Sequence, residues 1–397
     1  MNSVKKLTAH YSVIQFIHNC TLCSVLAFST PFLQDRGFTN SQIGTVLSLA
    51  SLISIVLNPL LASFSDRHSE LPIKTIASIL LGISAVGSGL LIFLPSLFIP
   101  TAIISGVLYL LSRVQGTFLV SLAMDHVYSG VDLNFSLARG FGSVGYAAMA
   151  YFMGYAVDFM GTKVIMLVIL VGALIDVFAI MLFPQVEAKA QKDSKDDENQ
   201  ETIGLFEFMK RNPRFMLVVI AVVLVYVSHT FINTYTINVV ESIGGTSKEM
   251  GIGTAIAALV ELHGMAIVPW MRKKFGNAGA LLKLAAITFM VKSIITILAP
   301  NIFVFYIAQL TQFFGFATII PAGVFFVNEN VSKANKVKGQ SVFDMGLIIS
   351  GIISNKVGGM LFDATNVRTT LFIGTIITAV GTVMLFLVLA GRKKNKV

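Results

Sequence analysis

Gly154-Tyr155-Ala156-Val157-Asp158 closes one apolar stretch of this chain, and Gly359-Met360-Leu361-Phe362-Asp363 closes another at an offset of 205, from position 158 to 363. Pro95 ends the run Leu91-Ile92-Phe93-Leu94, and Pro300 ends Ile295-Thr296-Ile297-Leu298-Ala299 at the same offset of 205, from 95 to 300. A looser echo joins Ile43-Gly44-Thr45 to Ile252-Gly253-Thr254, 209 apart from 43 to 252. Landmarks recurring at a near-constant interval of half the chain describe two similar halves in parallel repeat, an arrangement suited to rocking around a central site.

Around these landmarks the chain is 55% hydrophobic and 12% charged over 397 residues, about half the charged share of a soluble protein. Twelve apolar segments, each about 20 residues long, match the ~30 Å hydrocarbon core of a bilayer, where a helix satisfies its own backbone hydrogen bonds. The expected spans are 11–33, 41–64, 73–94, 98–122, 136–158, 164–184, 214–240, 248–271, 278–299, 302–327, 340–362 and 368–390. The reading is therefore an all-α integral membrane protein: a six-helix bundle over 1–186, a linker over 187–212 and a second six-helix bundle over 213–397.

The net charge of +9 invites a nucleic-acid reading, but the placement of the basic residues gives a membrane explanation. Twenty fall in segments on one side, from Lys5 and Lys6 through Arg272, Lys273 and Lys274 to Lys396, and four (Arg36, Lys163, Lys248 and Arg368) in the loops opposite. The positive-inside rule then puts both termini in the cytoplasm and the protein in the plasma or inner membrane. Lys5 and Lys6 before an apolar run also resemble a secretory leader, but its length and the spans that follow favour a retained first helix. Cys20 and Cys23 form a C-x-x-C inside that apolar helix with no second ligand pair, so two small packing residues are expected and no metal.

Residues 192–201 (Lys-Asp-Ser-Lys-Asp-Asp-Glu-Asn-Gln-Glu) are too polar to bury and mark the linker. After them, Gly204 to Arg211 could form a short amphipathic helix on the membrane face, and Asn212-Pro213 punctuates the start of the seventh span. The outer loops are short, too short for a receptor ectodomain. The fifth and eleventh spans are rich in small residues, including Gly142, Gly145 and Gly154 in one and Gly346, Gly358 and Gly359 in the other. Such residues let helices approach closely, in a sliding seam or in a static bundle.

A charge near the bilayer midplane costs roughly 3 kcal/mol or more, so one placed there has a partner or a wet cavity. Glu261 lies 11 residues before Arg272, about 16 Å along a helix. It can accept substrate hydroxyls and exchange a proton, or it can belong to a permanent ion pair. Lys292 in the ninth span is placed to share its network. Arg139 opens the fifth span, with Tyr146 seven residues on and on the same face: a forked donor set and a ring for a polar cyclic solute, or an arginine serving only the charge bias. Gln309 and Gln312 stand three apart on one face of the tenth span. Gln15, His18 and Asn19 in the first span and Tyr226, His229 and Asn233 in the seventh repeat the pattern, each face lining a cavity or bonding neighbouring helices. Arg113 and Asp176 could pair as a structural clamp, and Asp344 is expected at a helix start, favoured by the dipole. Ser65-Asp66-Arg67 reads as a polar turn after the second span. No His-Glu metal cluster, nucleophile elbow or Walker loop is present in the sequence, which speaks against an enzyme and against ATP-driven transport; no cofactor is expected.

The twelve spans, the half-repeat, the central linker and Ala62-Ser63-Phe64-Ser65-Asp66-Arg67 together resemble the major facilitator superfamily over nearly the whole chain. Its loop signature starts with glycine and carries further glycine and basic residues, from which Ala62, Ser69 and Glu70 depart; the resemblance makes Asp66 and Arg67 the cytoplasmic gate. Within the superfamily the chain looks most like the lactose-permease-like branch of oligosaccharide and nucleoside cation symporters. Asn134-Phe135 to Tyr146 resembles the branch's helix 5 motif, in which the arginine and the aromatic hold the sugar ring. Asp125 resembles its acidic partner on helix 4, Ala258-Leu259-Val260-Glu261-Leu262 its substrate-binding and proton-coupling glutamate motif, and Lys292 its basic residue on helix 9. Gln312 and Gly315 stand where that branch has histidine and glutamate, its helix 7 aspartates have no match, and Tyr146 replaces its tryptophan.

The resemblance implies a monomeric secondary transporter moving a small polar solute, a sugar or nucleoside, by alternating access and with a proton or another cation. Arg139, Tyr146, Glu261, Gln309, Gln312, His18, Asn19 and Asn233 are the expected substrate set, and Glu261, Asp125 and Lys292 the expected charge network. The same fold also serves export of amphipathic drugs, for which an apolar cavity is the discriminating feature. A membrane sensor without transport is the reading from another class.

Overall fold

The computed structural model of the protein describes residues 3–68, 70–131, 133–185 and 204–390. Every regular element among them is helical. The first half contains α1 (Ser3–Asp35), α2 (Asn40–Arg67), α3 (Ile73–Phe93), α4 (Phe98–Tyr128), α5 (Phe135–Met160) and α6 (Lys163–Met181). Then follow α7 (Leu205–Arg211), α8 (Pro213–Val225), α9 (Val227–Thr234), α10 (Thr236–Glu241), α11 (Ser247–Phe275), α12 (Ala278–Leu298), α13 (Ile302–Leu310), α14 (Phe316–Asn330), α15 (Lys336–Ala364) and α16 (Val367–Ala390). The twelve expected spans are all found: α1 to α6, the broken rod α8–α10, α11, α12, the broken rod α13–α14, α15 and α16. Eleven are long and apolar enough to cross a membrane by length and composition. The other is α5, whose 26 residues suffice in length, while its glycines, serines and Arg139 lower its mean hydropathy.

The repeat recurs in the local geometry. α3 and α12 are both 21 residues long and stop two residues short of Pro95 and Pro300, because a proline cannot supply the next helical N–H. The turns that start α2 and α11 share one plan. Gly37 and Gly244 take the left-handed backbone at φ 84° and 82°, where a Cβ would be strained. Two residues later a threonine meets a side chain three residues on. Gln42 N–H donates to Thr39 Oγ1 at 3.3 Å, while Thr39 N–H donates to Gln42 Oε1 at 3.0 Å. Thr246 donates to Glu249 Oε2 through its N–H at 2.8 Å and its hydroxyl at 2.7 Å. Both turns follow the capping-box logic, and all three pairs of positions are 207 apart (37 to 244, 39 to 246, 42 to 249).

One compact unit comprises α1–α6 together with Gly245–Ala258, the turn before α11 and its first part. Its core includes Tyr11, Ile14, Leu81, Val114, Phe118, Ala138, Ala173, Ile180 and Phe183. α1 packs against α5 and α6, α3 against α4 and α6, and α2 against α4. The expected close approach of the fifth span is present: a Cβ built on Gly145 would lie 2.5 Å from Phe16 O of α1, and one on Gly251 would lie 2.4 Å from Ala150 O of α5. Cys20 donates its thiol to Gly145 O at 3.3 Å, and Cys23 is buried, both as free thiols in the packing role expected.

The other unit holds α7–α10, α11 from Leu259 onward and α12–α16. Its core runs from Phe208 through Val218, Val222, Leu282, Phe289, Ile319 and Phe343 to Leu385. Here too glycines set the approach, with Gly346 of α15 on Val219 and Gly358 on Phe231. Gly374 and Gly381 of α16, which the sequence reading did not single out, do the same against Phe231 and Leu224. The ends of α11, α12 and α14 are tied by Glu329, which accepts from Arg272 at 3.1 Å and from Ala278 N–H at 3.1 Å. α7 is the expected short helix, with Phe208 buried edge-on against Phe215 at 5.7 Å. The acidic linker residues 187–203 lie outside the described residues. On the outside of both units large apolar side chains such as Phe159, Phe303 and Leu387 stand exposed, as a surface that meets acyl chains requires.

Three local expectations are corrected. Ser65-Asp66-Arg67 is the last turn of α2 rather than a loop, the helix being closed by His68 N–H on Phe64 O; Arg67 is exposed. α15 begins at Lys336, so Asp344 sits past its second turn, away from the dipole's positive end, and accepts from Gln340 Nε2 at 2.8 Å instead. Asp176 faces His18 of α1, not Arg113, because α6 packs against α1, α3 and α5. Arg113 lies over the Tyr109 ring and donates to its hydroxyl at 2.9 Å.

Candidate substrate-binding groups

Each unit carries its own cluster of buried polar side chains. In the first, Asn134 caps α5 by accepting from Leu137 N–H at 3.0 Å, which fixes where the helix starts and hence where Arg139 stands, just past its first turn. Arg139 is exposed and Tyr146 half-buried. The Arg139 guanidinium lies within electrostatic reach of Tyr11 on α1. Tyr11 donates to Leu119 O of α4 at 2.8 Å and accepts from Gln15 Nε2 at 2.7 Å, and Asn19 Nδ2 donates to Gln15 O at 2.8 Å. The three polar residues expected on one face of α1 are thus divided. Asn19 lies against Gly142 of α5, whereas His18 points at Asp176 of α6. Asp125 is half-buried in the last turn of α4, next to the buried His126.

The second cluster is built around two breaks that the sequence does not announce. Span 7 is interrupted at Tyr226 and again at Tyr235, between α8, α9 and α10. Span 10 is interrupted between α13 and α14, where residues Thr311–Phe313 form a single 3₁₀ turn and Gly315 leaves helical geometry at φ −86°, ψ −91°. Gln309 and Gln312 therefore do not share one regular helical face: Gln309 is in α13 and Gln312 in the tight turn. α11 crosses this break at close range, since a Cβ on Gly264 would lie 2.4 Å from Phe313 O. Gly264 is one turn beyond Glu261. Irregular backbone inside a membrane domain is tolerated where protein buries it or a cavity receives it, and broken spans are where transporters assemble their binding groups.

Lys292 of α12 reaches into this region with 1% of its surface exposed. Its ammonium donates to Asn233 Oδ1 of α9 at 3.3 Å and feels the charge of Glu261, which is half-buried on α11. Lys292 and Glu261, expected to share a network, thus lie within electrostatic reach of each other in one unit. Because an ammonium can only donate, it fixes the Asn233 amide with its oxygen toward Lys292 and its nitrogen toward His229 Nε2, 2.9 Å away. His229 Nε2 then accepts, which leaves the ring proton on Nδ1, a buried atom with no hydrogen-bond partner. The imidazole is held by rings of Tyr226, Phe289 and Phe316, at 4.8, 4.8 and 5.3 Å between centroids. Gln309 Nε2 and Gln312 Oε1 are likewise buried without partners. Donors and acceptors left unused in a buried place are costly unless a ligand takes them. Chemically the cluster offers a cation, a carboxylate, neutral amides and aromatic edges, a set suited to a polar ring compound. No group of three or more His, Cys, Asp or Glu residues that could hold a metal occurs among the described residues.

The sequence profile described as the MFS_1 like family matches residues 8–373. No curated protein sequence matches. Among solved structures, a variant of the nucleoside transporter NupG is similar with a TM-score of 0.80 at 17% identity, covering 96% of this chain and 99% of that one. NupG itself gives a TM-score of 0.78 at 15% identity over 99% and 100%. A bacterial homologue of the human lysosomal transporter Spinster, solved inward-facing and unoccupied, gives 0.73 at 13% identity over the whole of both chains.

Proposed function

The chain belongs to the MFS_1 like family of major facilitator transporters, and from that premise we propose that it carries a sugar or nucleoside across the membrane by alternating access, in symport with a proton. The observation that carries this reading is the line Glu261, Lys292, Asn233 and His229 beside the breaks in spans 7 and 10. A buried ammonium held by a single amide oxygen, with a carboxylate in electrostatic range, is a polarised site in a low-dielectric medium, where hydrogen bonds to hydroxyls and ring heteroatoms are strong. That two similar structures are of a nucleoside transporter adds weight to the substrate class.

In this scheme Glu261 binds substrate polar groups and responds to the proton, with Lys292 and Asp125 as charge partners. Arg139, Tyr146, Asn19, Asn233, Gln309 and Gln312 contact the solute, and Arg67 with Asp66 serves the cytoplasmic gate. The halves 1–186 and 213–397, joined by 187–212, act as the two moving bodies. The protein sits as a monomer in the plasma or inner membrane with both termini cytoplasmic, as the excess of basic residues on that side favours.

The test is uptake of radiolabelled uridine and lactose into proteoliposomes with an imposed inside-alkaline pH gradient. Saturable, gradient-dependent accumulation of either compound is expected. Indifference to both, together with binding of amphipathic cations, would replace the reading with drug export.

A further inference from the structure

Asp176 and His18 form the one buried acid–imidazole contact among the described residues, and the substrate cluster above does not use it. His18 Nδ1 lies 3.4 Å from Asp176 Oδ2, with the histidine 4% and the aspartate 0% exposed. Neither oxygen of Asp176 and neither ring nitrogen of His18 makes a hydrogen bond. The other buried ionisable groups of the region are served differently: Arg36 donates to Leu91 O and Leu94 O, and His126 Nδ1 meets Leu122 O. A carboxylate with room for several hydrogen bonds and making none is an expensive thing to bury as a fixed ion pair.

The contact lies in a built seam. A Cβ on Gly172, one turn before Asp176 on α6, would lie 2.4 Å from Thr21 Oγ1 on α1, one turn after His18. On the other side, eight residues before His18 and three after Asp176, His10 Nε2 meets Ala179 O at 2.8 Å. The two helices are therefore locked together on both sides of the pair, and the separation of Nδ1 and Oδ2 is set by backbone packing rather than by the pair's own attraction. Such a pair can gain or lose a proton without rearranging its surroundings.

We propose that His18 and Asp176 form a proton-binding site in the amino half, separate from Glu261. In the unloaded state Asp176 is a carboxylate and His18 a neutral imidazole. Loading adds one proton from bulk water onto Asp176 Oδ2, turns net charge −1 into 0, and makes or breaks no other covalent bond. Of the titratable groups on neighbouring elements, Cys20 on α1 is within electrostatic reach of Asp176, and Tyr11 on α1 answers to Arg139 of α5. α5 also brings Tyr146, Tyr151, Tyr155 and Asp158; α3 brings only Lys74 in its first turn, and α2 Asp66 and Arg67 in its last. On α4, Arg113 is engaged with Tyr109 and Asp125 lies beside His126, with Tyr128 at the helix end. Among the described residues none of these is a second ion-pair partner for Asp176, which meets His18.

The site itself is tested by infrared difference spectroscopy of reconstituted protein through a pH titration from about 4 to about 10, a range that brackets carboxylate and imidazole titration. A carboxylic C=O band that downshifts in D₂O and disappears in Asp176→Asn is expected, and His18→Gln should move its midpoint by roughly one pH unit or more. A wild-type protein with no such titrating band, or a band retained in Asp176→Asn, overturns the site. Should Asp176→Asn fail to fold, an unmoved midpoint in His18→Gln overturns it equally. Its role in coupling rests on the proposed transport. There, Asp176→Asn should lose pH-driven accumulation about tenfold or more while solute counterflow without a gradient persists; full accumulation removes the pair from coupling. If the wild type carries neither uridine nor lactose, the transport reading fails and the infrared titration still decides the proton site.

Discussion

Lys292 Nζ sits 3.3 Å from Asn233 Oδ1, and this contact orients the asparagine amide toward His229. One residue on a broken span thus links a buried cation to a buried ring, while itself remaining exposed. Asn233→Leu should leave the Lys292 ammonium without that acceptor and His229 Nε2 without its donor. A loss of about 2–3 kcal/mol is expected, the range for removing a hydrogen bond to a charged group. Thermal unfolding in detergent measures it, and an unchanged midpoint would show that the contact does not hold the cluster.

Glu261→Gln keeps the shape and removes the charge that Lys292 feels. It should abolish pH-driven accumulation while leaving membrane insertion intact. Accumulation at the wild-type level would take Glu261 out of the coupling role.

Arg139→Lys keeps the charge and loses the forked geometry of the guanidinium. Solute affinity should fall by about tenfold or more, the scale of one charge-assisted bidentate contact. Binding by isothermal calorimetry at the wild-type strength would return Arg139 to a purely topological part, that of a basic residue near a helix start.

Gly145→Leu puts a branched side chain where α1 backbone already lies within contact of a single Cβ. Overpacking of this kind costs about 1–3 kcal/mol, and here the neighbouring atom is the Phe16 carbonyl, which cannot rotate away. The variant should show a lowered unfolding temperature and impaired uptake. Gly140→Leu, at a position with open space around it, should leave unfolding near the wild type and serves as the control.

Much of the architecture was readable from the chain because bilayer crossing demands length and apolarity in every span, and both are compositional. Pro95 and Pro300, or Asp158 and Asp363, repeat visibly because corners tolerate few residue types. The breaks at Tyr226 and near Gln312 were not readable in the same way. Leu224-Val225-Tyr226-Val227 is as apolar as an unbroken helix, and a glycine such as Gly315 marks no break by itself in a chain whose unbroken helices α5 and α15 carry several. Side-chain faces were legible by helical spacing, as with Tyr226, His229 and Asn233, whose contacts follow the three- and four-residue steps. Which helix each face meets was not. Gln15, His18 and Asn19 look like one stripe in the sequence, yet His18 turns to α6 while Asn19 meets α5, because spacing fixes direction around an axis and not the identity of the neighbour. The Asp176 partner was missed for the same reason.

The corner at Gly37-Phe38-Thr39 and its counterpart at Gly244-Gly245-Thr246 have a consequence of their own. Parts made to a common drawing can be exchanged, and a chimera carrying residues 37–42 and 244–249 each in the other's place should fold. They are the kind of trace left when an ancestor half as long is copied end to end, with the backbone's demands at the bend outlasting the divergence of nearly everything around it.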